Sequence, residues 1–289
     1  MKVAIFGRHI EPKFYSFIND LIVLLQNNKI EIVIYEEFYN YLINNSIIQN
    51  NIYPVFTDTT DADYVFSIGG DGTLLQILPF VKGGETPVLG INTGRLGFLS
   101  SVTTEEVELA IKAIIDNDFK IDVRTLLEFE PFEPFSTSNN LAMNEITIQK
   151  KDTSTMIIIH VYLDGEFLNS YWSDGLIVST PTGSTAYSLS CNGPIVLPGS
   201  GNIIITPIAP HNLNVRPLVI PDDKKITLKM EGRTEEVLLG VDSNSYSVPL
   251  KRELNIQTSN KSIQLIRLNE YSYLSTLRNK LMWGFDKRN

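Results

Sequence analysis

The chain has 289 residues, a formal net charge of -9 and one cysteine, Cys191. That length corresponds to about two average domains. The acidic balance argues against nucleic acid or an anionic membrane as partner, so an anionic ligand must be met by local groups. A single thiol excludes an intrachain disulfide and a cysteine-based zinc cluster.

His9, His160 and His211 lie far apart without the spacing of metal ligands. The apolar run at the N-terminus is too short for a signal peptide, and no stretch approaches a membrane span. The expectation is a soluble, cytoplasmic protein.

In chain order, Lys2 to Phe6 is an apolar strand ending at Gly7 and Arg8. Phe14, Phe17, Ile18, Leu21, Ile22 and Leu25 then recur at helical spacing. A second strand at 31–35 and a short helix at 38–44 precede an Asn-rich connection. A third strand, 62–68, runs directly into Gly69, Gly70, Asp71, Gly72 and Thr73, with a helix predicted from Thr73. The fourth strand, 86–92, leads to a second glycine-bearing turn, ThrGlyArgLeuGlyPheLeu at 93–99. Thr103 and Glu106 form a capping box for a helix through Asn117, with Val107, Ala110, Ile111 and Ile114 as its buried stripe. Strands alternating with helices imply a doubly wound, mainly parallel sheet whose ligand site lies outside the strands' carboxyl ends, where both glycine turns fall.

From Phe119 onward the pattern is strand after strand, predicted at 119–130, 142–150, 156–163, 166–172, 175–180, 202–208, 225–231, 236–242, 252–258 and 263–268. Asp164-Gly165 is a strong hairpin signal, and 131–140 reads as a loop. Leu274, Leu277, Leu281 and Met282 mark a terminal helix. The expected fold is therefore an α/β N-terminal domain (1–118), an all-β C-terminal domain (119–268) and a C-terminal helix (269–289) packed on one of the two.

Glycines after a strand let main-chain N–H groups approach anionic oxygens. Asp71 among them repels phosphate unless a divalent cation intervenes, or unless it takes a proton from an attacking hydroxyl. Either role points to phosphoryl transfer. A second motif, SerAspGly at 173–175 followed by ThrProThrGlySerThrAlaTyrSerLeuSer at 180–190, crowds hydroxyls and N–H groups into a turn that can hold a sugar or a phosphate. It lacks the lysine of a Walker loop.

Together, GlyGlyAspGlyThr, AsnThrGlyArgLeuGlyPheLeu, the Asn144-Glu145 pair and the 173–190 segment resemble the NAD kinase family over nearly the whole chain. GlyGlyAspGlyThr alone also resembles the turn of diacylglycerol and sphingosine kinases and of phosphofructokinases. A lipid kinase and a non-catalytic NADP(H) sensor are accordingly the alternative readings. The family resemblance implies transfer of a phosphoryl group from ATP to the 2′-hydroxyl of the adenosine ribose of NAD, giving NADP. It implies Asp71 as proton acceptor and Asp71, Gly72, Asn144, Glu145, Asp174, Thr185, Ala186, Tyr187, Ser188, Leu189, Ser190 and Asn244 as the dinucleotide-binding residues. Mg²⁺ carried on the triphosphate, with no protein metal cage, and a homodimer or homotetramer complete the expectation. Three positions depart from the family pattern. Trp172 and Gln76 stand where a basic residue is frequent, and Asn244 stands where a Gln is common.

Overall fold

A computed structural model describes residues 1–49, 53–81, 84–94, 97–133, 135, 139–151 and 156–284. Arg95 and Leu96 of the second glycine turn, and 134 and 136–138 of the loop expected at 131–140, lie outside the described residues. The chain divides into two compact units, Met1–Val123 with Ile263–Asn289, and Arg124–Ser262.

The first unit is α/β. Its elements are β1 (Lys2–Gly7), α1 (Tyr15–Asn27), β2 (Glu31–Tyr35), α2 (Glu36–Asn44), β3 (Val55–Phe56), β4 (Tyr64–Ile68), α3 (Asp71–Leu75), β5 (Val88–Asn92), β6 (Val102–Thr103) and α4 (Val107–Ile115). The strands lie in the order β5-β4-β1-β2-β3, all neighbours parallel. A parallel sheet covered on both faces needs strands that are apolar throughout, and Val3, Ala4, Ile5 and Phe6 of β1 are all buried. The covering helices present the stripes expected from their spacing: Ile18, Leu21, Ile22 and Leu25 on α1, and Val107, Ala110, Ile111 and Ile114 on α4. Each of these side chains except Ala110 contributes about 1.5–3 kcal/mol by leaving water. The Thr103–Glu106 capping box is present, with Thr103 N–H donating to Glu106 Oε2 at 2.9 Å.

The second unit, which β7 enters at Arg124 and β18 leaves after Ser262, is built of antiparallel strands: β7 (Lys120–Phe129), β8 (Leu141–Ala142), β9 (Glu145–Lys150), β10 (Ile157–Leu163), β11 (Glu166–Ser173), β12 (Gly175–Ser179), β13 (Asn202–Ile208), β14 (Leu218–Pro221), β15 (Ile226–Glu231), β16 (Glu236–Val241), β17 (Asn244–Pro249) and β18 (Leu254–Arg267), with one short helix, α5 (Tyr187–Ser190). One sheet runs β14-β13-β12-β9-β16-β17, and β11-β10-β15-β18 form another layer. Their apolar faces meet in a core that includes Ile146, Ile148, Val178 and Leu239 from the first and Ile157, Ile159, Leu228 and Ile256 from the second. The β10–β11 hairpin turns at Asp164 and Gly165, both at positive φ (50° and 84°), as a two-residue primed turn requires. Helix α6 (Tyr273–Leu281) closes the chain in the first unit, capped by Ser272, whose Oγ accepts from Ser275 N–H. Only Leu277 of its expected apolar stripe is buried, while Leu274 and Met282 are exposed.

Several elements differ from the sequence expectation. The helix after the first glycine turn starts at Asp71, not Thr73, and ends at Leu75, giving way to a 3-10 turn at Leu78–Phe80 that contains Pro79. The strands expected at 252–258 and 263–268 are one strand, β18. Its polar middle resembles a turn, yet Gln257 Nε2 and Ser259 Oγ donate to the two carboxylate oxygens of Glu128 at 2.9 and 2.6 Å, so the side chains find partners without the backbone turning. β14 and β17 were not expected, because their faces are largely exposed and carry little apolar periodicity.

Candidate active site

The first unit holds the first glycine turn, Gly69 to Thr73. Gly69 has φ +150°, and a Cβ there would overlap the Thr73 hydroxyl. At Gly70 and Gly72 an added Cβ would meet no atom of the described residues within 4 Å. The Asp71 carboxylate points back to the second glycine turn. Oδ2 accepts from Phe98 N–H at 2.7 Å, and Oδ1 accepts from Leu99 and Ser100 N–H at 3.1 and 2.9 Å. That approach requires glycine at 97, where any Cβ would overlap the Asp71 carboxylate.

Sequence reasoning missed the group behind this grip. Arg267, at the end of β18, is buried and donates from Nη1 to Leu99 O at 2.7 Å and from Nη2 to Phe98 O at 3.4 Å. Its Nε donates to Asp122 Oδ2 at 3.0 Å, and its guanidinium lies 4.4 Å from the Tyr271 ring centre. The peptides that hold Asp71 are therefore themselves held. No local signal marks Arg267, since the carbonyls and the carboxylate it donates to here lie more than 140 positions away in sequence.

The second unit assembles the other predicted residues. Asn144 and Glu145 open β9, next to β12, with Ser179 opposite Glu145. The hydroxyl-rich turn is tied to them: Thr180 N–H donates to Asn144 O at 2.9 Å, and Thr180 Oγ1 donates to Met143 O at 2.6 Å. Buried Arg124 donates to Thr182 Oγ1 at 3.1 Å. Many of the turn's hydroxyls serve the turn itself, with Ser184 on Pro181 O, Thr185 on Thr182 O and Ser188 on Thr206. Thr185, Ala186, Tyr187 and Leu189 are half-buried and Ser190 is exposed, leaving these surfaces and their backbone to face a ligand.

Asp242, which sequence reasoning also missed, repeats the Asp71 arrangement. Its Oδ2 accepts from Met143 N–H at 2.8 Å, and its Oδ1 accepts from Asn144 and Glu145 N–H at 2.7 and 3.1 Å. Three consecutive N–H groups again close on one carboxylate, a concave anion site made of backbone. Asp242 sits at positive φ (49°) in the turn between β16 and β17, two residues before the predicted Asn244, which is exposed. In sequence, Asp242 reads only as the end of the strand expected at 236–242.

Two carboxyl pKa values and one phenol pKa are displaced here. Burial raises Asp242 from the ordinary 3.8 to about 6, against the pull of its three N–H donors. Burial also raises Glu145 from 4.5 to about 8, with the nearby Asp242 charge adding to the rise and a hydrogen bond from Tyr187 N–H opposing it. Glu145 is 7% exposed, and its Oε2 has no partner among the described residues. A neutral carboxyl there can donate a hydrogen bond as well as accept one. Asp174 is paired with Lys150 Nζ at 2.6 Å. The Tyr187 phenol is raised by burial and by the neighbouring Cys191, Asp174 and Glu145.

The Glu145 shift has a measurable sign. Between pH 4.5 and about 8 the unfolded chain has lost this proton while the folded chain keeps it. Folded stability therefore declines with rising pH across that window, by at most about 1.4 kcal/mol per pH unit. Glu145→Gln removes the term, so its melting temperature should gain on the wild type steadily from pH 5 to pH 8. Parallel curves for the two proteins would show that Glu145 is not held protonated.

Among the described residues no cluster of three or more His, Cys, Asp or Glu side chains could hold a metal ion, and no helix is long and apolar enough to cross a membrane. The model of the ATP-NAD kinase N-terminal domain matches residues 3–119, and that of the ATP-NAD kinase C-terminal domain matches 143–268. A protein named NAD kinase from Cytophaga hutchinsonii is 45% identical over 292 residues, covering 100% of both chains. Another from Flavobacterium psychrophilum is 47% identical over 295 residues, again with 100% coverage of both. Among solved structures, a yeast NADH kinase complexed with NADH superposes with a TM-score of 0.86 at 26% identity, covering 100% of this chain and 89% of that one. With both family models matched in order and whole-chain relatives this similar, the chain belongs to the ATP-NAD kinase family.

Proposed function

We propose that Asp71 is the proton acceptor in the ATP-dependent phosphorylation of NAD at the 2′-hydroxyl of its adenosine ribose. As a member of its family the chain is a kinase that acts on NAD, and the family uses ATP together with a divalent cation. The observation that carries the proposal is the way Asp71 is held. An ionised carboxylate offers about four acceptor positions. Among the described residues two N–H groups occupy Oδ1 and one occupies Oδ2, which leaves Oδ2 an acceptor position for the ribose hydroxyl. A hydroxyl is a poor nucleophile until a base removes its proton in the transition state. The γ-phosphoryl group then passes to the ribose oxygen, and ADP leaves.

Asn144, the carboxyl of Glu145, Asp174, Tyr187 and the backbone of 185–190 bind the dinucleotide in this reading. Gly72, open in front, admits a phosphate, and Asn244 lies beside the Asp242 turn. Mg²⁺ arrives on the triphosphate as part of the substrate, which suits a chain whose described residues build no carboxylate cage. The free thiol Cys191 fits a reducing cytoplasm, and the resemblance to the family favours a homodimer or homotetramer.

The reading is tested by incubating the protein with NAD, ATP and Mg²⁺ and assaying the product with a strictly NADP-dependent dehydrogenase. Product that this dehydrogenase reduces identifies the 2′-phosphate. Phosphorylated dinucleotide that it rejects would move the reaction to another hydroxyl, and phosphorylation of diacylglycerol or sphingosine in place of NAD would restore the lipid-kinase alternative.

A further inference from the structure

Position 76 carries a neutral Gln, and the first unit places a cation against it. β1 and β4 pair in parallel with Gly7 opposite Ile68, so Arg8, the next residue after β1, comes beside Gly69, the first residue of the phosphate turn. Arg8 Nε donates to Gln76 Oε1 at 3.0 Å. Its Nη1 donates to Glu37 on α2, and its guanidinium lies 5.3 Å from the Tyr35 ring centre and 5.9 Å from that of Phe6. Contacts on three sides thus hold one guanidinium at the carboxyl edge of the parallel sheet, the edge where open α/β sheets bind ligands.

We propose that Arg8 is the phosphate-binding cation of this turn, supplying from β1 the positive charge that position 76 lacks. The guanidinium has five N–H donors, of which Gln76 and Glu37 take two among the described residues, and its side chain remains 41% exposed. Among the described residues, none stands within 4 Å of where a Cβ would lie at Gly70 or Gly72. A planar fork that Gln76 and the two rings have already oriented loses little further freedom when it grips a phosphate in bidentate fashion. Glu37 is the competitor for that grip. It is 61% exposed, and a solvent-screened carboxylate pair is weaker than a bidentate phosphate contact, so phosphate displaces it. With a net charge of -9 the chain as a whole repels anions, which makes one local cation count for more.

The inference rests on the NAD kinase reading, and the ligand is a phosphate carried either by the donor triphosphate or by the dinucleotide pyrophosphate. The experiment measures KM for ATP and for NAD in the wild type, in Arg8→Gln and in Arg8→Gln combined with Gln76→Arg. Arg8→Gln is expected to raise one of the two constants about tenfold, with melting temperature within a few degrees of the wild type. A rise for ATP assigns the donor, and a rise for NAD assigns the pyrophosphate. Returning a guanidinium at 76 should recover most of the loss, which a merely structural role for Arg8 would not allow. If Arg8→Gln folds poorly, Arg8→Lys reports instead, since it keeps the charge without the fork and should give an intermediate rise. Unchanged constants for both substrates in either single variant would overturn the proposal. Failure of the functional reading is separate, because the wild type itself would then form no NADP.

Discussion

Asp71→Asn is expected to lower kcat by about a hundredfold or more while KM for NAD stays within a few fold of the wild type. The split follows from when the interaction is made. A base that takes the proton only as the hydroxyl attacks stabilises the transition state and not the bound substrate, so its loss falls on kcat. The amide has nearly the shape of the carboxylate and can keep its oxygen toward Leu99 and Ser100 N–H, the Oδ1 partners of the acid. Its NH₂ group must then face Phe98 N–H, donor against donor, where Oδ2 now accepts at 2.7 Å. One lost bond with an unmet partner costs about 1–3 kcal/mol, so a modest fall in melting temperature should accompany the kinetic loss. A variant with full kcat would remove Asp71 from the chemistry. One that lost kcat and dinucleotide binding together would make it a scaffold residue.

What could be read from the sequence was what is local. The glycines, the acid and the strand before them are contiguous, so the strand-to-helix turn at Gly69 to Thr73 could be placed before any fold was known. The stripes on α1 and α4 and the Asp164-Gly165 hairpin were legible for the same reason, since a periodicity or a two-residue turn is written within one segment. Arg267 and Asp242 were not. Asp242 meets residues 97 to 99 positions earlier, and Arg267 reaches Leu99 across 168. Each stands in a stretch whose composition reads as an ordinary strand end or turn. Arg8 is intermediate, because its place after β1 was visible but its arrival beside Gln76 depends on the β1–β4 register. The merged strand β18 shows the complementary error, where a polar run taken for a turn keeps its extended path because Glu128 pairs with it from β7.

Asp242→Ala is expected to cost about 3 kcal/mol or more of folding stability and to raise KM for NAD at least tenfold, with Asp242→Asn losing roughly half as much stability. In the alanine variant three adjacent N–H groups, those of Met143, Asn144 and Glu145, lose their acceptor at once. Each unmet buried donor costs about 1–3 kcal/mol, reduced where water reaches it. Asparagine keeps one oxygen, enough for the two donors that now share Oδ1, and turns its NH₂ toward the third. It also carries no charge into a buried position, which relieves the penalty that lifts the Asp242 pKa to about 6. The affinity loss has a distinct origin: the same peptides set the backbone from which Asn144 and Glu145 project, so loosening them disorders both side chains before the dinucleotide arrives. Asp242→Asn has one more consequence, since the Asp242 charge helps hold Glu145 protonated. Removing it should move the Glu145-dependent part of the stability profile to lower pH. If the stability loss appeared while that profile and KM stayed put, Asp242 would be a fold residue with no part in holding NAD. Movement of all three together would identify the backbone grip on residues 143–145 as the support on which the dinucleotide site is built.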